Sequence, residues 1–338
     1  MPWQSFWLKL KPMKQLFLYC FCLFSGLALG QQTLGGVERL DEEINRLIAE
    51  DAVVEILADG FNWSEGPVWV PELQAVLFTD VPENNLFQWD EKNGLQLYRS
   101  PSGYTGYAPN EKKAGGNGLI LDGAGNLLIA QHGDRRIARI SAPLSSQKAF
   151  ETVVDRFENK RFHSPNDLIL SKSGDLYFTD PPYGLKGDDD PLRELEHNGL
   201  YRLTKAGKVE LLYTGLNRPN GLAFSPDEKT LYVANSDPKR NLWLAFDVAD
   251  NGTLSNDRVF FDATGLPQPG LADGMKVHTK GYVFATGPGG VLVFTAEGKH
   301  IGTILTEERT ANCTFNEDES ALYMTSDRYL TRIKLKRP

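Results

Sequence analysis

One short phrase returns six times along this 338-residue chain, and it restricts the possible folds more than any other feature. Its clearest copy runs Asn220-Gly221-Leu222-Ala223-Phe224-Ser225, turns through Pro226-Asp227-Glu228-Lys229, and closes on Thr230-Leu231-Tyr232-Val233-Ala234-Asn235. Alone, it reads as a β-hairpin with a polar residue in front. Copies begin at Glu65, Asn117, Asn166, Asn220, Asp273 and, more weakly, Asn312. Regular self-similarity at about 50 residues marks a repeat architecture.

Each copy continues into a second apolar run, at residues 75–79, 126–130, 175–179, 230–234, 282–286 and 321–325. Third and, in five copies, fourth strand-like runs follow. Four short antiparallel strands per unit define β-propeller blades, so the chain is expected to be all-β, a six-bladed β-propeller over residues 53–338. Two packed β-sandwich domains are the alternative, but they do not require even spacing. From Asn312 to the C-terminus only three strands fit. The spare run Val53-Val54-Glu55-Ile56-Leu57 is therefore expected to supply the missing outer strand and close the ring without an exposed edge there.

Residues 1–30 read as a signal peptide. Lys9, Lys11 and Lys14 precede an apolar stretch over residues 16–29, and Ala28-Leu29-Gly30 offers small residues for cleavage before Gln31. The stretch is shorter than the roughly 20 residues that span a bilayer. The expectation is export, to a periplasm or the exterior, with no membrane attachment afterwards. Cleavage would remove Cys20 and Cys22 and leave Cys313 without a disulfide partner. Residues 31–52 form a lead-in, where Leu40, Ile44, Leu47 and Ile48 at helical spacing predict a short surface helix over 38–50. A net charge of −8 argues against a nucleic-acid partner. Oligomeric state is not legible.

The first strand of each propeller blade lines the central channel, so the residue opening each copy sits at one end of it. Glu65, Asn117, Asn166, Asn220, Asp273 and Asn312 would form that ring. Carboxylates and amides gathered away from water need compensating charge and partners. Asn and Asp also recur as turn residues before strands, but Glu65 is a poor turn residue in the same register. One hard divalent cation with oxygen ligands would satisfy the ring. Ca²⁺ fits best, with Mg²⁺, Mn²⁺ and Zn²⁺ as alternatives, although the lack of Cys or His argues against a dedicated zinc site.

Loops joining second to third strands return to this same face. The longest, residues 180–198, begins Asp180-Pro181-Pro182-Tyr183-Gly184, which reads as an ordered cap, and continues through Asp188-Asp189-Asp190, expected to be solvated. His132, on another such loop, is the best histidine for contacting substrate. No Gly-x-Ser-x-Gly elbow, His-Glu-x-x-His motif or phosphate-binding loop is present. Chemistry by the metal is what remains.

Ser64-Glu65-Gly66-Pro67-Val68-Trp69, Ser164-Pro165-Asn166-Asp167, Phe178-Thr179-Asp180-Pro181-Pro182-Tyr183-Gly184, Arg218-Pro219-Asn220-Gly221 and Ala272-Asp273-Gly274-Met275 together resemble the SMP-30/gluconolactonase/LRE-like family, most of all its bacterial gluconolactonases. The resemblance implies a six-bladed propeller whose metal ligands are Glu65, Asn166, Asn220 and Asp273. It leaves Asn117 and Asn312 as channel or substrate contacts, beside His132 and Tyr183, whose loops place them as further substrate contacts. Animal members carry an Arg two residues before the second-motif Asn, where Ser164 stands here, so the substrate is less defined than the metal. The implied reaction is hydrolysis of a small-molecule sugar lactone, with the cation polarising the carbonyl and Asp273 as general base. Alternatives are a phosphotriesterase of the same propeller type, a non-enzymatic exported propeller binding sugar or Ca²⁺, and a protein-interaction platform.

Overall fold

The computed structural model describes residues 32–146 and 148–337; the expected signal peptide lies outside them. Six antiparallel sheets follow one another around a ring. The inner to outer strands of the first four blades begin with Ser64–Val70, Gly116–Leu121, Leu168–Leu170 and Pro219–Phe224. Met275–Val277 and Thr310–Phe315 are the inner strands of blades 5 and 6.

Ring closure follows the expectation. Val54–Asp59 pairs antiparallel with the last strand, Tyr329–Lys334, and becomes the outer strand of blade 6. Leu34 N and Ile56 N extend this edge by bonding to Val54 O and Gln32 O.

Between neighbouring blades lie six apolar seams, each built from alternate residues of the facing strands. Leu77, Leu86, Leu119 and Ile129 fill the seam of blades 1 and 2. Phe162, Phe178 and Tyr201 anchor that of blades 2 and 3, and Phe78, Trp89 and Tyr323 join blade 1 to blade 6. Each such large side chain contributes about 1.5–3 kcal/mol on burial, so no seam depends on one residue.

The lead-in corrects its prediction. Gly36–Arg39 is a strand, the fifth of blade 5, paired with His300–Leu305. A short 3-10 turn, Glu42–Arg46, follows, capped by Asp41 accepting from Glu43 N at 2.9 Å. Ile44, Leu47 and Ile48 are buried against Val291, Ile304 and Met324, whereas Leu40 is exposed. The apolar spacing reflected real burial, but by a tight turn over the seam of blades 5 and 6. No helix among the described residues is long and apolar enough to cross a membrane.

Candidate functional site

Three devices place the ring residues. The first is a register shift in the inner strand, seen between Glu65 and Val68, Gly116 and Leu119, Pro219 and Leu222, and Thr310 and Asn312. Such bulges re-aim side chains at sheet rims. The second is close approach of adjacent inner strands. A Cβ on Gly221 would lie 2.3 Å from Asp273 O, and one on Gly66, whose φ is +50°, 2.0 Å from Asn117 O. Glycine after the ring residue is a packing requirement there. Threonines of the second strands then bind the neighbouring blade: Thr79 Oγ1 donates to Asn117 O (3.2 Å) and Thr179 Oγ1 to Asn220 O (2.9 Å).

The third device is a cap at the end of the second strand. Asp80 accepts from Asn62 N and Trp63 N at 3.0 and 3.1 Å. Asp180 accepts from His163 N and Ser164 N at 2.8 and 2.7 Å, and Asn235 Oδ1 from Arg218 N at 2.9 Å. Each cap fixes the backbone just ahead of Glu65, Asn166 or Asn220. Ser164 also holds the long loop: its Oγ donates to Pro181 O (2.6 Å) and accepts from Gly184 N (2.8 Å). A small hydroxyl at this position thus seats the turn that carries Tyr183.

A cavity of about 800 Å³ opens over the ring. Glu65, Asn117, Asn166, Asn220 and Asp273 line it, with His132, Tyr183 and Ser236. Asn312 does not reach the wall. Its Nδ2 donates to Asp167 Oδ2 at 3.3 Å and its Oδ1 accepts from Cys313 N at 2.9 Å, so of the two expected roles, channel or substrate contact, its bonds fit the channel one.

A directed hydrogen-bond chain orients the amides. Ser236 Oγ donates to Ala272 O and therefore accepts from Asn220 Nδ2 (2.8 Å). Asn220 Oδ1 is left to accept from Asn166 Nδ2, and Asn166 Oδ1 accepts from His132 Nε2 (3.0 Å). The network thus assigns the Nε2–H tautomer to His132. Burial holds His132 at about 3, so it is neutral. It positions Asn166, and both amide oxygens keep a second lone pair for a ligand.

The acids are unusual. Burial, helped by the charge of Asp167, lifts the Glu65 carboxyl to about 7, against the lowering effect of Gly66 N–H. Burial and then Glu65 and Asp167 push Asp273 well above the usual carboxylate range. Asp167, fully buried beneath, is raised by burial as well. Tyr183 stays protonated through burial and the charge of Asp273.

Among the described residues, no three His, Cys, Asp or Glu side chains gather as a ready metal cluster. The floor instead offers two carboxylates with amide oxygens. Two of these oxygens, Asn117 Oδ1 and Asp273 Oδ1, are enclosed and have no hydrogen-bond partner. Unpaired buried acceptors cost about 1–3 kcal/mol each; a hard cation held at the ring carboxylates would satisfy Asp273 Oδ1, and Asn117 Oδ1 is left to accept from a bound ligand. The residues present fit such an ion.

Several wall residues lay in segments without periodicity. Trp63, Lys112, Gln268, Leu271 and Arg309 all come from connectors between blades. Asp167 occupies the position that Gly holds after Glu65, Asn117, Asn220 and Asp273, and that break in the pattern was its only signal. The acidic run 188–190 is not simply solvated. Asp188 pairs with Arg193 (2.9 Å) and Arg218, and buried Asp190 accepts from Lys186 N (2.7 Å) and Leu192 N (2.8 Å). His197 bonds Tyr201 OH instead of facing the cavity.

A six-bladed propeller with an acid–amide ring at the floor of its cavity defines the class of this protein. The profile of the SMP-30/Gluconolactonase/LRE-like region matches residues 63–328, and the chain belongs to that family. It is 36% identical to a gluconolactonase of Zymomonas mobilis, over 90% of this chain and 87% of the relative. It is 25% identical to a pentonolactonase of Haloferax volcanii, covering 81% and 84%. A solved gluconolactonase from Xanthomonas campestris superposes with a TM-score of 0.77 at 30% identity, covering 90% of this chain and 98% of that one.

Proposed function

We propose that this protein hydrolyses a sugar lactone in the ring cavity, with one divalent cation held by Glu65, Asn166, Asn220 and Asp273. The observation that carries the reading is the pair of buried carboxylates at the cavity floor, Glu65 and Asp273, with Asp273 Oδ1 lacking any hydrogen-bond partner. The naming of the relatives supports the substrate class. Ca²⁺ suits a donor set made only of oxygens. When bound, the cation would supply Lewis-acid polarisation of the lactone carbonyl and keep both carboxylates ionised.

The residues divide the remaining work. Asp273 lines the cavity with an oxygen free to accept, and takes the proton of the attacking water. Water adds to the carbonyl carbon, the ring C–O bond breaks, and the ring oxygen takes the proton back from Asp273 to leave as a hydroxyl, giving the open-chain acid and restoring the base. Tyr183, a protonated phenol on the wall, donates a hydrogen bond to bound substrate. The chain from His132 to Ser236 prevents the amides from turning their NH₂ groups toward the cation.

A hydrolysis panel tests this: glucono-1,5-lactone and pentonolactones against organophosphate triesters, each with and without added Ca²⁺. Turnover confined to lactones supports the reading; turnover confined to triesters replaces it. We also propose export, with the mature chain starting at Gln31. Intact mass of the protein secreted by its host reads this directly, and retention of residues 1–30 would exclude it.

A further inference from the structure

Among the described residues four charged side chains line the cavity: Glu65 and Asp273 at the floor, Lys112 and Arg309 on the wall. A divalent cation would offset the two carboxylates, leaving only positive charge facing the substrate. Among the described residues neither wall cation is paired with a carboxylate: Arg309 has no ion pair, and Lys112 has only a bond from Nζ to Tyr183 O at 2.6 Å. Glu111, next to Lys112, pairs away from it with Lys186.

Their placement follows from blade order. Lys112 lies in the connector leading into blade 2 and Arg309 in the one leading into blade 6, so the arc between them spans blades 6 and 1. Between them, blade 1 contributes Trp63, Val81 and Pro82 to the wall. This half of the cavity is an apolar face with a cation on each side. Tyr183 adjoins Lys112, and beyond it Asn220 and Ser236 make the wall neutral and hydrogen-bonding. The space, about 800 Å³, is in the range that encloses drug-sized ligands and exceeds the needs of one unsubstituted sugar ring.

Resting on the lactonase reading, we infer that the preferred substrate is a lactone bearing an anionic group, a carboxylate or a phosphate ester, bound by Lys112 and Arg309 beside Trp63. Guanidinium and ammonium groups give charge-assisted hydrogen bonds to either anion, and Trp63 supplies a flat surface for the sugar.

The test is the ratio of kcat/KM for an anionic lactone to that for neutral glucono-1,5-lactone. The anionic arms are glucaro-1,4-lactone for carboxylate and 6-phosphoglucono-1,5-lactone for phosphate, assayed with saturating Ca²⁺. At least one ratio should exceed unity by about 10-fold, as expected for one or two charged hydrogen bonds. It should collapse in Lys112→Met/Arg309→Met, and it should fall in the unaltered protein as salt screens the wall charges. Equal ratios near unity, or ratios that neither the variant nor salt changes, overturn the inference while leaving lactone hydrolysis standing. Failure to turn over any lactone, neutral or anionic, removes both.

Discussion

Glu65→Gln should make the cation-free protein more stable at alkaline pH, although it removes a site residue. Glu65 titrates at about 7 in the fold against an ordinary value of 4.5, chiefly because burial disfavours its charge. Between these limits the folded state holds more protons than the unfolded chain, so stability falls as pH rises. Below 4.5 both states are protonated and the penalty is absent; above 7 it is complete. At about 1.36 kcal/mol per pH unit of displacement, the full penalty is about 3 kcal/mol. A neutral amide of the same shape lacks it. With an unfolding entropy of about 2.1 cal/mol/K per residue over roughly 300 residues, this corresponds to about 5 °C in Tm. Thermal melts in EDTA at pH 4.5 and 8.5 should thus show the variant near parity at the lower pH and about 5 °C above the unaltered protein at the higher. Saturating Ca²⁺ at pH 8.5 should reverse the order, because only an ionised ring gains the full binding free energy. A variant equally destabilised at both pH values, with or without Ca²⁺, would refute the assignment of Glu65 as a carboxylate strained for lack of a cation.

Three further substitutions probe separate parts of the site. Asp273→Asn should lower kcat for lactone hydrolysis by about 10²–10⁴, the usual weight of a general base, while calorimetry still detects weakened Ca²⁺ binding. Ser236→Ala leaves Asn220 Nδ2 without its acceptor and frees the amide chain to reverse; Ca²⁺ affinity should drop by about 1–3 kcal/mol, read by titration calorimetry. Gly221→Ala drives a Cβ to 2.3 Å from the backbone oxygen of Asp273, and overpacking of this kind costs about 1–3 kcal/mol in urea denaturation.

The blades were legible because a hairpin repeated at even spacing leaves few folds that bury its apolar faces. The unpaired run at Val54 could be assigned because a ring lacks one strand without it. The ring residues were visible for a related reason: Glu65 in the register of Asn117 and Asn220 has no turn chemistry to explain it. Other parts carried no periodic signal. Lys112 and Arg309 come from irregular connectors whose path depends on tertiary contacts such as Asn110 Nδ2 donating to Gly184 O at 3.1 Å. Asp80, Asp180 and Asn235 share one structural task, but the task is a set of hydrogen bonds to a loop 16 to 18 residues earlier, which no local pattern reveals. At the lead-in, Ile44, Leu47 and Ile48 were spaced to serve a helix or a tight turn equally well. Pairing of Gly36–Arg39 with blade 5 decided between them.

The reading rests most heavily on the acid–amide ring as a cation-dependent lactone-hydrolysing centre. The direct measurement is acid release from glucono-1,5-lactone and a panel of related lactones by chelator-stripped protein, re-supplied in turn with Ca²⁺, Mg²⁺, Mn²⁺ and Zn²⁺. The account predicts hydrolysis at the spontaneous rate after stripping, strong acceleration when a divalent cation returns, and no such recovery in Asp273→Asn. Full lactonase activity in the stripped protein would contradict the role of the cation, and spontaneous rates for every lactone with every cation would contradict the function.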